Sequence, residues 1–225
     1  MRQLLLTLFL SSIAISSYAA DSSVPKRAAK VIALTGKATA LKADGSSVPL
    51  KVGDEFPAGS TLKTEENATV DLFFRRIGSI VELEPGTTLK IDKLEMETKN
   101  GKLVKRTELS LKEGGVYACV RVMIPDSKIM VRTPKTVFHV PGTGMGRFQF
   151  GADGSALVGR RSKLTLIADT SGELDAVQPG QLFNPKTTNA VTANPSFFEK
   201  FTVRMDALQK TASELTPPPV AEDMP

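Results

Sequence analysis

Residues 69–94 read Thr69-Val70-Asp71-Leu72-Phe73-Phe74, Arg75-Arg76-Ile77-Gly78, Ser79-Ile80-Val81-Glu82-Leu83, Glu84-Pro85-Gly86-Thr87 and Thr88-Leu89-Lys90-Ile91-Asp92-Lys93-Leu94. Three short runs rich in β-branched, leucine and aromatic residues are punctuated by two turn sequences. In the third run Thr88, Lys90 and Asp92 alternate with Leu89 and Ile91, a period near two. That is the pattern of a strand with one face on a core and one toward water. A helix would repeat its apolar residues every three to four positions, which this stretch does not do.

The same grammar extends in both directions. Upstream, Val31–Thr35 ends at Gly36, and Lys37–Lys42 ends at the polar stretch 43–47. Downstream, Lys99-Asn100-Gly101 has hairpin-turn composition, and Thr107–Leu111 alternates. Glu113-Gly114-Gly115 turns into Val116–Val122, and Lys128–Arg132 follows. Phe148–Phe150 and Ala156–Val158 flank a hairpin loop at 151–155; Lys163–Ile167 and Gln181–Phe183 close the series. Strands spaced about 8–12 residues apart, without intervening helical patterns, predict an all-β domain over 30–183. The expected architecture is an antiparallel β-sandwich or jelly-roll-like domain.

The character changes at Asn184. Residues 184–195 read as a polar linker with two prolines, and 196–215 as an amphipathic helix. Phe197, Phe198, Phe201, Met205, Leu208, Ala212 and Leu215 recur at helical spacing. Ser196 with Glu199 fits a capping box, and Asn194-Pro195 offers a rival start. Asp206 and Lys210 are spaced for an ion pair on the polar side. The helix is expected to cover an open end of the β-domain, and Pro217-Pro218-Pro219 to stop it before a disordered tail at 216–225. At the other end, Arg2, an apolar run from Leu4 to Ile15 and the small-residue exit Ser17-Tyr18-Ala19 predict a secretory signal over 1–19. The apolar run is shorter than the roughly 20 residues of a membrane span. Export to the periplasm or outside the cell is therefore expected, with no membrane span in the remainder.

The 225 residues carry 29 Lys and Arg against 24 Asp and Glu, a formal net charge of +5. The charges alternate in sign along the chain, which argues against nucleic acid as a partner. Cys119 is the single cysteine, so no internal disulfide can form. It lies in an apolar strand-like run and reads as a core residue. His139 is the single histidine, between apolar neighbours. One His and one Cys are too few for a zinc site, and no Gly-x-Ser-x-Gly elbow is present. No catalytic set, cofactor or metal is expected. Gly142-Thr143-Gly144-Met145-Gly146 lacks a P-loop lysine and reads as a tight crossing. Arg160-Arg161 reads as a solvated basic turn.

The stretch Met130-Val131-Arg132-Thr133-Pro134-Lys135-Thr136-Val137-Phe138-His139-Val140-Pro141-Gly142-Thr143 resembles the signature of the FecR domain family, roughly V-x-T-P-x-x-x-x-x-V-R-G-T. Thr133, Pro134, Val140, Gly142 and Thr143 match at the expected separation, with Pro141 where the family usually has Arg. Gly53 and Asp54 sit in a similar "L-x-x-G-D" opening, Pro85-Gly86-Thr87 in its middle and Pro179-Gly180-Gln181 at its close. The resemblance covers about residues 30–183. It implies an exported all-β domain, used in many family members to control a sigma factor in response to iron-siderophore uptake. The signature residues are expected to be structural. The chain is read as a non-enzymatic binding or scaffold module of the envelope, partnered by another envelope protein or an envelope glycan. The alternative is a periplasmic signal-sensing component acting through a membrane partner.

Overall fold

The computed structural model describes residues 28–215, apart from 43, 76, 77, 100, 123 and 188. The signal sequence expected over 1–19 and the tail expected over 216–225 lie outside the described residues. Eighteen strands and one helix follow in chain order. They are β1 (Ala28–Thr35), β2 (Ala38–Leu41), β3 (Ser47–Pro49), β4 (Glu55–Pro57), β5 (Thr61–Thr64), β6 (Thr69–Phe74), β7 (Ser79–Leu83), β8 (Thr88–Lys99) and β9 (Lys102–Glu113). Then come β10 (Gly115–Val122), β11 (Lys128–Arg132), β12 (Val137–Val140), β13 (Gly144–Gly151), β14 (Ala156–Val158), β15 (Leu166–Thr170), β16 (Glu173–Val177), β17 (Gln181–Asn184), β18 (Asn189–Thr192) and α1 (Pro195–Leu215).

The strands form two nine-stranded sheets, so the protein is all-β with one C-terminal helix. Sheet I runs β18-β17-β14-β13-β10-β7-β6-β1-β4, and sheet II runs β16-β15-β12-β11-β9-β8-β5-β2-β3. Pairing is antiparallel except for β9 and β11, which run parallel because β10 between them crosses to the other sheet. Alternate residues of each sheet meet in a shared core. Phe138 and Phe150 lie 5.2 Å apart between ring centroids, and Phe183 meets Phe138 edge-on at 6.0 Å. All three rings are fully or almost fully buried. Burying an aromatic side chain removes about 150–250 Å² from water, so this cluster carries much of the cohesion between the sheets.

The chain changes sheets at turn residues, and two such crossings are stacked. At residues 84–87 it passes from β7 to β8, and at Gly114 from β9 to β10. Buried Thr64 and Thr87 lock them together. The Thr64 hydroxyl donates to the Glu84 carbonyl at 2.7 Å and accepts from the Thr87 amide at 2.8 Å. The Thr87 hydroxyl donates to the Gly115 carbonyl at 2.8 Å and accepts from the Gly115 amide at 3.1 Å. These bonds satisfy backbone groups that a corner would otherwise leave buried and unpaired.

Several features differ from the sequence reading, beyond the short β3, β4, β5 and β12, to which the sequence assigned no strand. Residues 184–195, read as a linker, carry β18, which pairs with β17 and extends sheet I. Glu173–Val177, assigned no element from sequence, is β16 at the edge of sheet II. The strand read at 163–167 begins instead at Leu166. The helix starts in the rival frame: Asn194 Oδ1 accepts from the Ser196 amide at 3.1 Å, which makes Asn194 the cap and Pro195 the first helical residue.

The helix also covers a face, not an open end. Phe198, Phe201, Met205, Leu208 and Ala212 of α1 pack on Phe73, Ile80, Cys119 and Leu157 of sheet I, forming a second apolar cluster outside the sandwich core. Phe197 and Leu215, counted with the apolar stripe in sequence, are exposed. Under this cover β6 and β7 are buried on both sides. Among the described residues sheet II has no such cover: β11, β12 and β15 alternate buried residues with more exposed ones.

Candidate functional site

The family-signature residues fall at two separate places. Thr133 closes the turn between β11 and β12. Its amide and its hydroxyl both donate to the Thr136 carbonyl at 2.9 Å, and the hydroxyl accepts from the Thr136 amide at 3.0 Å. Pro134 is exposed in that turn, and Val140 points into the core. Gly142, at φ 83°, and exposed Thr143 carry the chain from sheet II to sheet I. Gly53, at φ 98°, and Asp54 make the turn into β4. The Asp54 carboxylate accepts from the Lys51 amide at 2.8 Å, and the Val31 amide donates to the Asp54 carbonyl at 2.9 Å. β1 and β13 are four strand steps apart in sheet I. At about 4.8 Å per step, the two groups do not share a pocket.

Gly142 has open space around it; an added Cβ would come no closer than 3.9 Å to Leu164. Its constraint is backbone conformation alone. Gly142→Val is expected to cost about 1–3 kcal/mol, because a β-branched residue is strongly disfavoured at that φ. Thermal melting of the purified variant measures this as a lowered midpoint. An unchanged midpoint would mean the crossing relaxes to another conformation.

The single histidine and the single cysteine lie on opposite outer faces. His139 is half-buried on the outside of sheet II. Cys119 is 2% exposed on the outside of sheet I beneath α1, and burial pushes its thiol up to about 11. Two stacked sheets are about 10 Å apart, so no dyad can form between them.

Two surfaces remain as candidate sites. The first is the open face of sheet II. Across it Met130, His139, Ile167 and Ala176 stand in one register row, and Arg132, Val137, Asp169 and Leu174 in the next. Leu174 is 66% exposed. Toward β8 and β9 the face becomes a ladder of ion pairs: Lys93–Glu108 at 3.2 Å, Arg132–Glu108 at 3.7 Å and Lys90–Asp92 at 2.9 Å. An apolar strip thus adjoins a charged one.

The second is the acidic row under α1. Asp71, Glu82, Tyr117 and Gln149 are direct cross-strand neighbours on β6, β7, β10 and β13. Carboxylates directly opposite one another are destabilising unless bridged. Arg204 of α1 bridges them, meeting Asp71 at 2.9 Å and bonding Glu82 through Nε. Burial nevertheless pushes Asp71, Glu82 and Glu84 above their ordinary values. Tyr117 is pushed up to about 12 by burial and by Glu84 and Glu82. A second clamp is set by Arg147 on β13, which bonds Asp206 at 2.7 Å and also Gln209. Asp206 therefore serves Arg147, with Arg161 at 3.5 Å, and not Lys210 as its spacing had predicted. Arg160, read as a solvated turn residue, lies 4.5 Å over the Phe198 ring. No group of three or more His, Cys, Asp or Glu among the described residues is placed to hold a metal ion.

The fold and these faces define a two-sheet β-sandwich protein with one sheet roofed by its own helix and the other, among the described residues, open. No helix among the described residues is long and apolar enough to cross a membrane. No family model matches the chain, and no curated protein matches it. Two solved structures of a candidate anti-sigma factor from Parabacteroides distasonis ATCC 8503 are similar at 16% and 18% identity, with TM-scores of 0.43 and 0.41. The match spans 60% of this chain and 59% of the length of each of those structures.

Proposed function

We propose that the protein is a non-enzymatic binding module of the cell envelope that meets a protein partner on the open face of sheet II. The observation that supports this most is the asymmetry of the sheets: α1 shields sheet I, while half-exposed Met130, Val137 and Ile167 and exposed Leu174 stand uncovered on sheet II. An apolar strip beside a charged one matches the apolar centre and polar rim of a protein interface. A glycan partner fits less well, since among the described residues His139 is the only aromatic ring on that face. The envelope location follows from the signal-like N-terminus. The separation of Cys119 and His139 supports the non-enzymatic reading. The FecR-like motifs support the alternative reading, a sensor whose partner spans the membrane.

The test is capture from envelope extract by the immobilised protein, compared with Ile167→Glu and Leu174→Glu. A protein retained by the parent and lost from both variants, at unchanged melting midpoints, is the expected result. Surface changes of this kind shift stability by no more than about 0.5 kcal/mol. Retention by both variants, or retention of glycan only, overturns the assignment. An integral membrane protein among the lost partners would select the sensor reading.

A further inference from the structure

We propose that α1 is a cover that opens from sheet I as a unit while the sandwich beneath stays folded, and that it closes more firmly as the pH falls from neutral toward about 5. The cover lies on the sheet opposite the face assigned to the partner. Three observations carry the proposal. First, the sandwich core is complete without α1. None of the helix's residues belongs to it, and the helix buries its apolar face in the separate cluster with Phe73, Ile80, Cys119 and Leu157. Elements that contribute nothing to the main core are those that open at less than the global cost.

Second, the seat is held by two charge clamps of different balance. In the first, Asp71 on β6 and Glu82 on β7 stand directly opposite each other, with Glu84 just beyond, and α1 brings Arg204 alone against them. Tyr117 on β10 and Gln149 on β13 complete that row as neutral groups. In the second, Arg147 on β13 and exposed Arg161 meet Asp206 of the helix. Excess negative charge is thus trapped at the first clamp when the helix is down.

Third, burial raises Asp71, Glu82 and Glu84, and lifting the helix would return Asp71 and Glu82 to water. The closed state therefore takes up protons more readily than the open one. Its advantage is full below the ordinary carboxylate range and is lost as the pH rises through the raised values. Closure strengthens on acidification.

Cys119, the single cysteine and 2% exposed beneath α1, reports opening directly. The full chain is labelled with 4,4′-dithiodipyridine under native conditions, and rates are divided by those of an exposed thiol peptide at the same pH. The expected result is labelling with a denaturant dependence well below that of global unfolding. The normalised rate should fall at least about threefold between pH 7.5 and 5. Asp71→Asn and Glu82→Gln should each shrink that fold-change, and Arg204→Gln should enlarge it and speed labelling at neutral pH. Labelling that follows only global unfolding would overturn the unit opening. A rate that is flat, or that rises on acidification, would overturn the charge account.

Discussion

Gly114→Ala is expected to be among the most damaging single methyl additions this fold can suffer. Gly114 sits at φ 73°, where an L side chain is strained. Its new Cβ would also fall 2.7 Å from Thr87 Cα and 2.8 Å from the Gly86 carbonyl, and against the Thr87 hydroxyl. None of that is a flexible side-chain end. To make room, the stacked crossings must separate, breaking the bonds that tie Thr87 to Gly115. Backbone strain of about 1–3 kcal/mol and a lost buried hydrogen bond of about 1–3 kcal/mol place the cost on the order of 3–5 kcal/mol. At roughly 2–4 °C per kcal/mol for a domain of this size, the melting midpoint should fall by about 10 °C. Gly115→Ala is the matched control. Its Cβ meets first the end of the Glu84 side chain, which can swing aside, and its φ is not positive. A small shift for Gly114→Ala, or equal shifts for the two, would show that the corner is softer than its hydrogen bonds imply.

Phe138→Ala is expected to cost a similar amount by a different route. Phe138 is fully buried between the sheets, against Phe150 and Phe183. Truncation removes the transfer free energy of a ring and leaves a cavity that neighbours on two rigid sheets cannot close, about 3–5 kcal/mol. Equilibrium unfolding in urea measures it as a lowered midpoint at unchanged slope. Val137→Ala, one residue away but half-buried on the open face, should lose far less. Comparable losses would mean that the open face of sheet II is covered in solution. The pair tests, inside the family-like segment, whether its residues serve the core or the surface.

The longer strands were legible in the sequence because period two and turn residues are local signals, whereas the short β3, β4, β5 and β12 were not read as strands. Leu89 and Ile91, read as the apolar side of their strand, lie in the core, as do Leu109 and Leu111 of the alternating run 107–111. β16 was missed because Glu173-Leu174-Asp175-Ala176 is an edge segment with only Val177 fully buried, so no alternation shows. Asp71 and Glu82 carried no signal of burial. The residue that bridges them, Arg204, is 133 and 122 positions away, and a charged residue in a strand reads as solvent-facing until something lies on it. The same distance problem misled the reading of Asp206, whose helical neighbour Lys210 was visible while Arg147 was not. The open face of sheet II was beyond sequence reading for a further reason. Its rows depend on strand order, including the parallel β9–β11 pair, which no local pattern encodes.

The borders of the two sheets bear on how the molecule behaves when crowded. An unpaired strand edge is a template on which another chain can add, and long flat edges seed fibrils. Here sheet I ends in β4 and β18, and sheet II in β3 and β16. β3 and β4 are three residues long, and each finishes on a proline, Pro49 and Pro57, which has no amide to offer an incoming strand. β18 has four residues. On β16, Asp175 stands in register with core residues Ala168 and Phe138, so a carboxylate lies along the inward side of that margin. Any strand docking there would have to bury it. With eighteen strands among the described residues, the fold is thus blunted at the places where cross-β stacking would begin, and its sheets resist growing into those of a neighbour.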